Sequence, residues 1–273
     1  MSLGNSGRPI AVITGASSGL GKCYAFQLAK KGCDLLLVAR QTSKLQQTQV
    51  EIQQKYDVEI ELLSADLSDL SDIQALEKRI EKLTNLRYLI NNAGFGANQK
   101  FPDVFIDVET QMIITHCLAP MRLCRAAAAV MKSQKENGRA GYIVNVASIA
   151  GFLAGEGAAD YAGTKSYLIS FSKSLQCDVK RYGIRVQALC PGYIRTGFHD
   201  APTMRFSNLK QTVPNFLWQK SERVVAYSLR ALHSKWNPNV VCIPTVVYKL
   251  AGFFGSSWLF SPLRVLLSGG SIR

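Results

Sequence analysis

Short runs rich in Val, Ile and Leu alternate along the chain with segments whose apolar positions recur at helical spacing. That alternation predicts a doubly wound parallel α/β sheet with helices on both faces. Ile10–Thr14 reads as a buried strand, followed by a glycine-rich turn and a helix carrying Leu20, Tyr24, Leu28 and Ala29 on one side. Further strands are expected over residues 35–39, 59–63, 86–90, 142–146 and 184–189, with a last short one over 240–243. Helices are expected over 43–56, from Ser68 or Ser71 through 83, over 108–131 with an interruption at Pro120, over 158–182 and over 221–233. Asn137 and Gly138 are placed to end the long middle helix, and Gly183 the one after it. Residues 193–220 read as an irregular, basic loop. No repeat, linker or low-complexity block divides the chain, so one domain is expected: a polar tail over 1–8, a main body over 9–245 and an apolar extension over 246–273.

Composition narrows this picture. With 273 residues and 47% hydrophobic, the chain can bury a sizeable core. The net charge of +13 is uneven: residues 1–160 hold 17 basic and 16 acidic side chains, residues 161–273 hold 15 basic and three acidic. A basic surface alone would admit nucleic acid, but neither an aromatic-studded basic sheet nor a recognition helix is present, so no nucleic-acid partner is expected. Seven cysteines without a Cys-x-x-Cys pair favour a reducing compartment over a zinc site or a disulfide framework, and no metal is expected. The N-terminus lacks the basic-then-apolar order of a signal peptide. The uncharged stretch 250–263 is too short to span a bilayer and contains Pro262. The expected location is cytoplasmic, with peripheral membrane contact left open.

Chemistry enters at the first turn. Gly15, Ser17, Ser18, Gly19, Leu20 and Gly21 follow a strand and open a helix, the context in which glycines admit a pyrophosphate to backbone N–H groups and a helix N-terminus. This predicts a dinucleotide site on a Rossmann-type sheet, although the spacing is Gly-x-x-x-Gly-x-Gly. The end of the second strand, where an acidic residue would meet the ribose hydroxyls, holds Arg40. A guanidinium suits a 2′-phosphate, so NADP(H) is expected in preference to NAD(H). Asp66 suits either the adenine amino group or a helix N-cap. Asn92, Ala93 and Gly94 follow the fourth strand, where small residues let a ribose lie against backbone. Ser148 precedes Tyr161 by thirteen residues, and Lys165 shares a helix face with Tyr161. A phenol whose pKa is lowered by a neighbouring ammonium can act as general acid/base, while Ser148 can stabilise charge on a substrate oxygen.

Together these residues resemble the short-chain dehydrogenase/reductase family over about residues 9–200. The resemblance implies that Gly15 to Gly21 form the cofactor turn, Asp66 and Leu67 the adenine contacts, and Asn92, Ala93 and Gly94 the ribose segment. It makes Ser148, Tyr161 and Lys165 the catalytic triad, with Tyr161 and Lys165 also touching cofactor, and Pro191, Gly192, Ile194 and Thr196 the nicotinamide segment ahead of a variable substrate loop. One departure stands out: His116 occupies the place of the family's usual Asn in a proton-relay tetrad. Either its ring donates protons, or packing holds it while its carbonyl, unbonded because Pro120 has no N–H, serves a water. Residues 21–26, 38–40 and 51–56 are similar to the branch of long-chain 3-oxoacyl and hydroxysteroid reductases. The implied substrate is a lipophilic carbonyl or alcohol, carried in one version on CoA or an acyl carrier protein. The implied assembly is a homodimer or homotetramer. A nucleotide-sensing binding protein without turnover is the alternative. The apolar tail, with Val246, Val247, Leu250, Phe253, Phe254, Trp258, Leu259 and Phe260 and with Lys249 and Arg264 at its margins, suits a greasy pocket, a membrane interface, or packing on the domain or a partner subunit.

Overall fold

The structure is a computed structural model and describes residue 3 and residues 6–97, 99–134, 141–153, 155–200, 213–234, 236 and 239–256. Asn137, Gly138, residues 201–212 of the predicted loop and residues 257–273 of the tail, with Trp258, Leu259, Phe260 and Arg264, lie outside the described residues.

Seven parallel strands form one sheet in the order β3-β2-β1-β4-β5-β6-β7. They are β1 Ile10–Thr14, β2 Asp34–Ala39, β3 Ile60–Ser64, β4 Leu86–Asn91, β5 Gly141–Val146, β6 Ile184–Leu189 and β7 Val241–Cys242. The helices are α1 Gly19–Ala29, α2 Thr42–Gln53, α3 Leu70–Glu81, α4 Ile106–Ile113, α5 Ala119–Ser133, α6 Ala159–Val179, α7 Ser221–His233 and α8 Val246–Ser256. The order in which strands are added to the sheet reverses between β1 and β4, and the crevice beyond the carboxyl ends of the strands at such a point is where open α/β sheets bind ligands.

Alternation along each strand divides the core in two. Ala11 and Ile13 face Tyr24 and Leu28 of α1 and Val225 and Leu229 of α7. Ile10 and Val12 face the opposite layer, with Ile73, Leu76 and Ile80 of α3 and Leu123 and Ala127 of α5. Tyr24 is fully buried, and its hydroxyl meets Ser228 Oγ at 2.5 Å, so its one polar atom is satisfied between α1 and α7.

The sequence placed two boundaries differently. Asp69, not a serine, caps α3: its carboxylate accepts from the N–H groups of Ser71 and Asp72. A carboxylate satisfies two orphan donors at once and sits favourably at the positive end of the helix. The long middle helix is interrupted just ahead of Pro120 by a π-helical turn, Ile114–Leu118, in which the Ala119 N–H reaches the carbonyl of Ile114. A proline that cannot donate leaves the preceding turn free to widen. The run Ile106–Ser133 is the one stretch among the described residues long and apolar enough to cross a membrane, and half of its apolar window is buried in the fold.

Candidate functional site

The crevice is built from turns at the carboxyl ends of β1, β4, β5 and β6. Gly15 and Gly19 take positive φ, +65° and +53°, a region that admits glycine without the Cβ penalty. Gly21 is under a different constraint: a Cβ there would collide with the carbonyl group of Gly15. Ser18 is the N-cap of α1 in extended geometry, but its side chain makes no capping bond, so its hydroxyl does not compete for the first N–H groups of the helix. Such a turn can take a pyrophosphate.

The turn after β4 is tied to this cradle by Thr14, a residue the sequence reading passed over. Its hydroxyl oxygen accepts from the N–H groups of Asn92 (2.9 Å) and Ala93 (3.0 Å), and the Asn92 amide donates to the carbonyls of Thr14 (3.0 Å) and Gly15 (3.2 Å). The signal was a threonine at the last strand position before the first glycine. Beneath, Asn91 donates to Asn145 Oδ1 (2.8 Å) and Asn145 to Ser172 Oγ (2.9 Å), a buried chain that fixes β4, β5 and α6 relative to one another.

Arg40 follows the last residue of β2, its side chain 68% exposed and 3.7 Å from Asp66 Oδ2. Asp66 is not the helix cap; its Oδ1 accepts from the N–H and hydroxyl of Ser68 (2.9 and 2.7 Å), which leaves the residue beside Arg40 at the rim. The Leu67 side chain is buried in the core layer of α3, so an adenine contact there would fall to its backbone. Pro191 and Ile194 are buried as well, whereas Thr196 borders the cradle: its Cγ2 would lie 3.2 Å from a Cβ on Gly19.

Ser148, Tyr161 and Lys165 converge at the end of β5. Burial pushes the Tyr161 phenol up to about 12, and neighbouring Ser148 opposes that rise. The Lys165 ammonium lies 5.5 Å from the centre of the Tyr161 ring and donates to the Val146 carbonyl at 3.1 Å, and burial brings it down to about 8. The Ser148 hydroxyl oxygen also accepts from the Ala150 N–H at 3.1 Å, which orients the serine.

His116 is 1% exposed, and both ring nitrogens are occupied. Nε2 accepts from the Phe95 N–H at 3.1 Å, so the proton sits on Nδ1, 3.1 Å from Thr164 Oγ1. Burial, reinforced by Lys165, holds the ring's pKa well below the usual imidazole value. A neutral ring with both nitrogens engaged fits the packing alternative for His116: the ring straps the turn after β4 to α6. Among the described residues no three His, Cys, Asp or Glu side chains group as metal ligands.

The family model described as short chain dehydrogenase matches residues 9–203. The NADP-dependent 3-hydroxy acid dehydrogenase of Schizosaccharomyces pombe is 36% identical over 214 residues, 77% of this chain and 80% of that protein. The very-long-chain 3-oxoacyl-CoA reductase of Bos taurus is 27% identical over 271 residues, 96% of this chain and 80% of that protein. A solved short-chain dehydrogenase from Sphingobium yanoikuyae in complex with NADPH superposes with a TM-score of 0.78 at 29% identity, covering 97% of this chain and 96% of that one.

Proposed function

The chain belongs to the short-chain dehydrogenase family, and from that premise we propose that it uses NADP(H) to interconvert a lipophilic 3-oxoacyl thioester and its 3-hydroxy alcohol. The observation that carries the reading is the meeting of Ser148, Tyr161 and Lys165 at the carboxyl end of the sheet that also carries the glycine turn of Gly15, Gly19 and Gly21. When bound, the dinucleotide supplies or accepts hydride at its nicotinamide. The rest falls to side chains of this chain. In the reductive direction Ser148 donates to the substrate oxygen and Tyr161 gives it the phenolic proton, leaving a phenolate that solvent reprotonates. The Lys165 ammonium stabilises that phenolate through its charge.

The thioester is favoured on two grounds. The relatives from Schizosaccharomyces pombe and Bos taurus are named for 3-hydroxy acid and 3-oxoacyl-CoA chemistry, and the half of the chain after residue 160 is strongly basic, which suits an anionic carrier. The exposed apolar face of α8, Val246, Val247 and Leu250, gives the same half a greasy surface suited to an acyl chain or a membrane interface. The test is NADPH oxidation assayed against 3-oxoacyl thioesters, ketosteroids and small diketones. Thioesters are expected to turn over with the highest kcat/KM, and that value is expected to fall as salt is raised. Preference for a ketosteroid or diketone would overturn the substrate assignment, and NADPH binding without turnover on any of them would favour a nucleotide sensor.

Cofactor preference is assigned to Arg40. Arg40→Ala is expected to raise KM for NADPH by roughly 10- to 100-fold, the weight of a charge-assisted phosphate contact, and to change KM for NADH by less than about threefold, there being no 2′-phosphate to lose. Equal effects on both cofactors would remove Arg40 from that role.

A further inference from the structure

The C-terminal helix α8 carries a tyrosine that no motif singled out. Tyr248 is 6% exposed, and its ring lies so close to Gly192 that a Cβ at that glycine would fall within the ring. Its hydroxyl does two things at once: it donates to the Leu217 carbonyl at 2.8 Å and accepts from the Tyr193 N–H at 3.2 Å. Those two partners stand at the described ends of the segment 193–220. The same ends are zipped together by Gln219, whose N–H donates to the Tyr193 carbonyl (2.8 Å) and whose carbonyl accepts from the Arg195 N–H (3.2 Å).

This stem leads directly to the cofactor cradle. Three residues beyond Tyr193, Thr196 packs against Gly19. One helical turn along α8, Gly252 sits against Ile149 and Phe152 of the turn that follows Ser148, and the Ile149 N–H donates to the Pro191 carbonyl at 3.0 Å. One helix therefore braces the turn after β5 and the turn after β6, and the Tyr248 hydroxyl is its polar attachment to the second.

We propose that Tyr248 is a positioning residue for the dinucleotide: its hydroxyl staples the 193–220 stem to α8 and so holds the turn 191–196 against the glycine cradle, without touching reacting atoms. This rests on the dinucleotide reading given above. A hydroxyl is required because the staple needs a donor and an acceptor on one atom at the end of a ring thin enough to lie on a glycine.

Tyr248→Phe keeps the ring on Gly192 and removes both bonds, so it separates the staple from mere packing. Two measurements on the full chain decide the matter. Hydrogen exchange of the apo protein is expected to accelerate at least about tenfold at the Arg195 and Gln219 amides, with the amides of β1 and β4 unchanged. NADPH affinity, read by fluorescence titration, is expected to weaken about tenfold, with kcat at saturating NADPH within about threefold. Unchanged stem exchange, or faster exchange with unchanged affinity, would overturn the proposal. A wild-type chain that fails to bind NADPH would instead overturn the cofactor reading; the exchange measurement, made without ligand, would still decide whether the staple exists.

Discussion

Replacing Tyr161 with Phe is expected to lower turnover about a thousandfold at saturating NADPH, while the thermal midpoint and the NADPH affinity stay close to wild type. The substitution removes one oxygen. The ring stays between His116 and Phe198, whose centroids are 5.9 and 6.1 Å away, so packing is kept and the loss reports proton transfer. General acid catalysis contributes roughly 10²- to 10⁴-fold, and a thousandfold loss corresponds to about 4 kcal/mol of barrier. The pH dependence follows from the neighbours. Burial, opposed by neighbouring Ser148, holds the Tyr161 phenol up at about 12, so the acid itself remains protonated across the working range. Lys165, brought down to about 8 by burial, loses its proton first, and with it the field that stabilises the developing phenolate. Reduction is therefore expected to fall as pH rises through about 8, and Lys165→Arg, whose guanidinium stays charged, is expected to move that limb to higher pH. Steady-state NADPH absorbance from pH 6 to 10 measures both. A Phe variant retaining a tenth of the activity would end the assignment of Tyr161 as the proton donor.

Much of this site was legible because it is written in local strings. Strand periodicity located β1, β4, β5 and β6 to within a residue or two, since buried parallel strands read as uninterrupted apolar runs. The glycine turn, Arg40, Ser148, Tyr161 and Lys165 were legible because each belongs to a fixed spacing or a strand end. What was missed depends on contacts distant in the chain. Thr14 matters because two N–H groups 78 and 79 residues away converge on its hydroxyl. Tyr248 matters because Leu217 and Tyr193 come together at the base of one loop. Leu67 shows what a motif string leaves open: a leucine after a strand can turn either way, and here its side chain joins the core. His116 lies between. Its place in the chain pointed to the site, yet only the partners of its two nitrogens decide whether it can move a proton.

Gly21→Ala is the second large effect, and here two energies of opposite sign compete. Gly21 lies in the first turn of α1 at an ordinary helical φ, since it is not among the positive-φ glycines. On propensity alone alanine would gain about 1 kcal/mol. The added methyl, however, would run into the Gly15 carbonyl group and crowd the Asn92 amide, which itself donates to the carbonyls of Thr14 and Gly15. The obstacle is backbone and a doubly bonded side chain, so the turn must shift; overpacking of this kind costs about 1 to 3 kcal/mol. The steric cost offsets or exceeds that gain, and the expected result is a net loss of up to about 2 kcal/mol in urea unfolding together with NADPH affinity weakened at least about 100-fold, because the displaced carbonyl belongs to the cradle itself. Gly163→Ala provides the contrast. It lies within α6, where an added Cβ meets nothing within 4 Å, so propensity acts alone and stability is expected to rise by roughly 0.5 to 1 kcal/mol. If the two variants shifted stability alike, and Gly21→Ala still bound NADPH as tightly as the parent, the close approach of α1 to the Gly15 turn would not be what shapes the phosphate site.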